Sequence, residues 1–166
     1  MVEILISLLV LAFGVLGMAG LQLQAINNSE LARYNGRAAI EASSIAAAMR
    51  GNTSYWGTPT TTISVQGTTV SGGPSAFTGS CLYPNTCTAS QMAYYDLAYW
   101  GQEIANNLPG GHYQIACDLT VSPAVCSVTI FWFEKNIAMN GTTAASGPLA
   151  NGTTQTHSYQ TMVSVL

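Results

Sequence analysis

A chain of 166 residues suits one compact domain with an appendage. Charged residues make up 7% of it, against roughly a quarter in ordinary soluble domains, so its polar surface has to come from Ser, Thr, Asn, Gln and Gly. The net charge is −3 and the only fixed cations are Arg33, Arg37, Arg50 and Lys135; without a basic cluster to track phosphates, nucleic acid is excluded as an expected partner.

Glu3 opens an apolar run, Ile4–Leu23, that has the length of a membrane span, and no charged residue follows until Glu30. A cleaved signal peptide would want a basic residue before a shorter apolar core and a small-residue cleavage site after it. The run has an acidic residue in front and no such site behind, and reads as a retained span. Gly14, Gly17 and Gly20 recur every third residue and so lie near one helical face. Each lowers helix stability by up to about 1 kcal/mol relative to Ala. The stretch fits either close helix–helix approach or a segment able to loosen.

From Asn27 the pattern turns amphipathic, with Leu31, Ala38, Ile45 and Met49 at helical spacing. Glu30–Arg33 and Arg37–Glu41 are expected as opposite-charge pairs on the solvent side. Arg50 and then Gly51-Asn52 give a C-terminal stop. Residues 1–50 contain no proline, and as one helix they would measure roughly 75 Å. The expected division is 1–26 as the membrane half and 27–166 as the globular domain, which includes the amphipathic half-helix 27–50.

Residues 53–80 are loop-rich, with a hairpin expected over Thr61–Gln66, a turn at Gly67 and Thr68–Ser71. Thr88 with Gln91 forms a capping box ahead of a second helix. Its stripe is Ala93, Leu97, Trp100, Ile104 and Leu108, and Pro109-Gly110-Gly111 ends it. Strands are expected at His112–Thr120 and Cys126–Glu134; the second alternates Val128, Ile130 and Trp132 with Thr129, Phe131 and Phe133. It reads as a central strand with the N-terminal helix on one side. A Gly/Thr/Ala/Asn-rich stretch, 135–155, is too long for a hairpin and is expected to be exposed. Ser158–Leu166 forms the last strand, with Tyr159, Thr161, Val163 and Val165 on one face.

The four cysteines fall as Cys81-x5-Cys87 and Cys117-x8-Cys126. Neither spacing is that of a zinc site, and an even count in a charge-poor chain reads as two disulfides made in an oxidising compartment. Of three pairings, the local one, Cys81–Cys87 with Cys117–Cys126, is favoured because each bond closes a short loop between recognisable elements. No constellation for catalysis, metal or cofactor emerges, and no small-molecule substrate is expected. His112 and His157 stand alone. Asp96 and Glu103, seven apart, share a helix face and read as a solvated face rather than a catalytic pair. Sequons at Asn27, Asn52, Asn140 and Asn151 arise readily in a Thr-rich chain.

The segment Met1-Val2-Glu3-Ile4-Leu5-Ile6-Ser7-Leu8-Leu9-Val10-Leu11-Ala12-Phe13-Gly14 resembles the start of a mature type IV pilin. Its continuation, Gly14-Val15-Leu16-Gly17-Met18-Ala19-Gly20-Leu21-Gln22-Leu23-Gln24-Ala25, is similar to the type IV pilus modification proteins, the PilV family of minor pilins. So are Met92–Trp100, the Leu108–Gly111 exit and Val128–Trp132. The resemblance implies an α+β pilin fold in which a long N-terminal helix packs on a small antiparallel sheet with a second helix. It implies a non-enzymatic protein held in the inner membrane, processed by a prepilin peptidase, and assembled with other minor pilins and the major pilin at the pilus tip. Glu3 then becomes an assembly determinant and Gly14–Gly20 the stretch where pilin helices lose regularity. Against the family pattern Glu3 stands two positions early, and the methylated amine that its glutamate pairs with has no counterpart in this sequence. A pseudopilin of a type II secretion system is the nearest alternative; a membrane-anchored binding domain that never polymerises is another.

Overall fold

A computed structural model describes residues 2–58, 61–135 and 154–165. The fold is α+β: an N-terminal helix with a long apolar run, two further helices and a five-stranded sheet. Two compact units can be distinguished. One holds the N-terminal part of the first helix as far as Tyr34, and the other holds Asn35–Glu134 with the final strand from Gln155.

In the first unit, helix α1 starts at Val2 and is continuous through the glycine-spaced stretch; the whole element is Val2–Gly51, 50 residues long. Glu3 lies in its first turn, where the helix dipole favours a negative charge. Residues Val2–Gln22 have a mean hydropathy of 2.6 and are 0% buried. Chain length and composition thus give one N-terminal helix apolar enough to cross a membrane.

In the second unit, α1 continues with a buried row of Ala38, Ala42, Ile45, Ala46 and Met49. Arg50 occupies its last turn, where a cation meets the free carbonyls favourably. A one-turn helix, α2 (Thr53–Trp56), follows and buries Trp56. Helix α3 (Ala89–Asn107) begins with the expected capping box, in which Gln91 N donates to Thr88 Oγ1 and Thr88 N to Gln91 Oε1. Two hydrogen bonds set the direction of α3 against α1. Arg37 Nη1 reaches Asn107 Oδ1 (3.0 Å), and Asn52 Nδ2 reaches Ala89 O (2.7 Å). The start of one segment thus meets the end of the other, and the two run antiparallel. Arg37 was expected to pair with Glu41; it acts on the Glu41 charge but takes Asn107 as its hydrogen-bond partner, and His157 Nε2 lies 3.4 Å from Glu134 Oε2. The amide of Asn107 offers Arg37 a partner that is fixed across the helix pair, whereas an exposed i,i+4 pair gains only a few tenths of a kcal/mol.

The strands are β1 (Ile63–Gln66), β2 (Thr69–Ser71), β3 (His112–Asp118), β4 (Ala124–Lys135) and β5 (Thr154–Val165), in the order β2-β1-β3-β4-β5. The pairs β1–β2, β1–β3 and β3–β4 are antiparallel. Gly67 makes the β1–β2 turn with φ of 55°, a conformation that side chains resist. The middle strand is therefore β3, and β4 lies between β3 and β5. Cys126, Val128, Ile130 and Trp132 of β4 are buried. On its other face Phe131 stacks on His112 and Phe133 stays 40% exposed, so apolar residues on both faces do not mean burial on both. The last strand begins at Thr154 rather than Ser158. Most of the stretch expected as a loop (136–153), with Asn140 and Asn151, and the terminal Leu166 lie outside the described residues.

The helical stripe of α3 differs from expectation at one position. Gly101 is buried where Trp100 was expected, and Trp100 is only half-buried. A Cβ on Gly101 would come within 2.1 Å of Gly67 O and 2.6 Å of Val65 Cγ1. The helix can therefore cross the β1–β2 hairpin only where a side chain is absent. Replacing Gly101 with Ala should lower stability by about 3 kcal/mol through overpacking. Gly36→Ala, which meets nothing within 4 Å, should be neutral or stabilising by up to about 1 kcal/mol. Thermal denaturation of the full chain in detergent micelles checks both, and equal midpoints would contradict the packing argument.

Candidate functional site

The residues singled out in the sequence separate into an apolar helix face with Glu3 and three glycines on the first unit and a few polar groups on the second. On the first unit the carbonyl of Glu3 accepts a hydrogen bond from Ser7 Oγ (2.8 Å), and the helix continues without another charge until Glu30. A Cβ added to Gly14, Gly17 or Gly20 would meet nothing within 4 Å. Among the described residues no contact requires glycine at these positions. The neighbouring Leu11, Phe13, Val15, Leu16, Met18 and Leu21 are all more than half exposed.

On the second unit both disulfides join cysteines near in sequence. Cys81 is bonded to Cys87 (2.00 Å) and Cys117 to Cys126 (2.02 Å), and the second bond links residues directly opposed on β3 and β4. The first closes a loop that holds Leu82 63% and Tyr83 98% exposed. This apolar tip was not anticipated, although the Leu-Tyr-Pro run between two cysteines is its sequence signal.

His112 lies over Phe131, with ring centroids 5.0 Å apart, and its Nδ1 is 3.1 Å from Gly110 O. Glu134 accepts a hydrogen bond from Trp132 Nε1 at 2.8 Å and faces His157 through its other oxygen. These contacts tie β4 to β5, and neither histidine gathers a nucleophile. Among the described residues no group of three or more His, Cys, Asp or Glu is placed to hold a metal ion.

Asp96 and Glu103 do not form a pair. Seven residues along a helix return the same azimuth but separate the carboxylates by roughly 10 Å of axis. Glu103 accepts from Asn107 Nδ2 (3.5 Å) and acts on Glu41 across the helix pair. The Glu41 carboxyl is raised above its ordinary range by burial and by Glu103, and Arg37 partly offsets the rise.

Asp96, expected on a solvated face, instead borders a half-open recess together with Ile45, Ala48 and Met49 of α1, Trp56 of α2, Leu97 and Trp100 of α3 and Tyr113 of β3. About 10 Å³ of it has room at the size of one water molecule, within some 200 Å³ of empty space that includes the mouth. Tyr113 is buried, and its hydroxyl donates to Leu97 O at 2.8 Å. Its acidity is suppressed by burial first and by the Asp96 charge second. Burial also raises the Asp96 carboxyl above its usual range, and among the described residues no cation offsets it. The aromatic residues of α3 were read as core, and the signal missed was Trp56, which brings a second indole to the same carboxylate.

No protein-family model, no curated protein and no solved structure matches the chain.

The sign of the Asp96 shift gives a pH test. A carboxyl held above its unfolded value of 3.8 favours the fold when protonated, so this contribution is full below the unfolded value and lost as pH rises through the folded one. Asp96→Asn should remove that part of the pH dependence and raise the melting temperature at neutral pH. Melting curves across the acid range for both forms check this, and an unchanged slope in the variant would count against the assignment.

Proposed function

We propose that this protein is a minor pilin of a type IV pilus, with the type IV pilin fold and a PilV-like role. In this reading the apolar run of α1 holds it in the inner membrane as a single-pass protein with its globular domain in the periplasm. A prepilin peptidase is its processing enzyme. It is then drawn into a filament with other minor pilins and the major pilin, where it helps initiate assembly, sits near the tip and presents an adhesive surface. It performs no reaction and needs no cofactor.

The observation that carries this reading is the division of labour along one helix. Val2–Gln22 is fully exposed and apolar, while the continuation from Ala38 to Met49 is buried in a separate unit. A membrane anchor alone needs the first property. An apolar helix opened by a single carboxylate and continuous with a folded domain suits transfer from lipid to a bundle of like helices. In that bundle an uncompensated carboxylate is costly, and Glu3 recovers the cost only beside a neighbouring ammonium in the correct register. The small-residue spacing of Gly14, Gly17 and Gly20 and the two local disulfides fit the same setting.

Glu3→Ala should leave the protein in the membrane fraction at its normal level and remove it from sheared filaments. Immunoblots of the two fractions make the measurement. Unaltered incorporation into filaments would sink the assembly role of Glu3, and absence of the native chain from any filament would sink the pilin reading itself.

A further inference from the structure

The recess around Asp96 is the place where the second unit leaves a charge unanswered. Its carboxylate is about half-buried, and among the described residues it has neither an ion pair nor a cation acting on it. Arg37, on the same helix pair, is committed to Asn107 instead. Around the carboxylate stand two indoles, a phenol ring and a thioether, from Trp56, Trp100, Tyr113 and Met49. An acidic group with aromatic walls is the chemistry that recognises a desolvated cation, by ion pairing and by attraction to the ring faces.

We propose that this recess receives the primary ammonium of a lysine presented by a partner protein. Size selects the ammonium. The enclosed space is about that of one water molecule, which suits a compact –NH₃⁺ head, while the open mouth admits its methylene stem. A planar guanidinium is too broad for the enclosed part. A calcium or magnesium ion would want six or more oxygen ligands, and the lining supplies one carboxylate among apolar groups. Charge complementarity selects a partner as the source. The chain holds a single lysine, Lys135, and among the described residues no cation acts on Asp96. The inference does not depend on the filament reading, because it uses only the second unit.

The full chain in detergent micelles, labelled with ¹³C and ¹⁵N, should be titrated with n-butylammonium chloride, which reproduces the end of a lysine side chain. Sodium chloride at equal ionic strength is the reference. A saturable shift is expected at the Asp96 carboxyl carbon and at the Trp56 and Trp100 indoles, with affinity about tenfold weaker in Asp96→Asn. Equal shifts with sodium chloride, equal affinity in the folded variant, or no saturable response would overturn the site and leave it a water-sized gap. A zero-length carbodiimide cross-link on intact cells then tests the source. An amide joining Asp96 to a lysine of another protein, absent in Asp96→Asn, is the expected product. Coupling to Lys135 of the same chain, or no coupling at Asp96, would overturn the partner lysine. Because the titration needs no filament, its failure is separable from failure of Glu3→Ala to affect assembly.

Discussion

The close contact between the second half of α1 and α3 is what the rest of the second unit depends on. Ala38, Ala42 and Ala46 recur every fourth residue and are almost wholly buried, with Ile45 and Met49 filling the space beside them. Small side chains at a helix contact allow close approach, and larger ones at these buried positions would have no room. The two hydrogen bonds at the ends of this contact, Arg37 with Asn107 and Asn52 with Ala89, fix its register. Once α3 is placed, the absence of a side chain at Gly101 admits the β1–β2 hairpin, and Tyr113 can send its hydroxyl to Leu97 O and tie β3 to the helix.

The same helix meets a different demand at its other end. A run of exposed Leu, Ile, Val and Phe cannot remain in water, because each such side chain gains on the order of 1.5–3 kcal/mol from full burial. Among the described residues nothing covers Val2–Gln22, and lipid or other protein would supply the cover in the proposed setting. The second unit, by contrast, keeps its large buried residues, among them Trp132, Tyr113 and Met49, inside itself.

How much of this was legible depended on whether a signal was local. The capping box at Thr88, the Gly67 turn, the alternation of Val128, Ile130 and Trp132 and the extent of α1 all follow from short-range backbone chemistry, and all were readable. The misreadings were tertiary. Trp100 has the spacing of a core residue, but the hairpin lies too close for any side chain one position on, and Gly101 takes the buried place. Trp56 lay in a segment read as loop, and only its contact with α3 makes one helical turn worth forming. The β5 strand begins four residues early because pairing with β4 extends it through Thr- and Gln-rich sequence that has no apolar alternation of its own. Asp96 was misread for a related reason: helical azimuth says which side a carboxylate takes, and only the neighbouring elements say whether water reaches it. Glu3 and the spaced glycines could be read from the sequence, but among the described residues no contact explains them.

Charge economy links the two ends of the molecule. In a chain with seven acidic side chains and four fixed cations, each carboxylate away from open water needs an answer. Glu134 has Trp132 and His157, Glu103 has Asn107, and Glu41 has Arg37 acting against its burial. Asp96 has desolvation alone. Glu3 begins an otherwise uncharged run, where removal of water would leave it in the same position. At Asp96 an apolar residue would be more stable in isolation, because a buried charge without a partner only subtracts. Compensation for Asp96 would have to arrive with another molecule, as the proposed lysine does, and in the proposed filament the same would hold for Glu3.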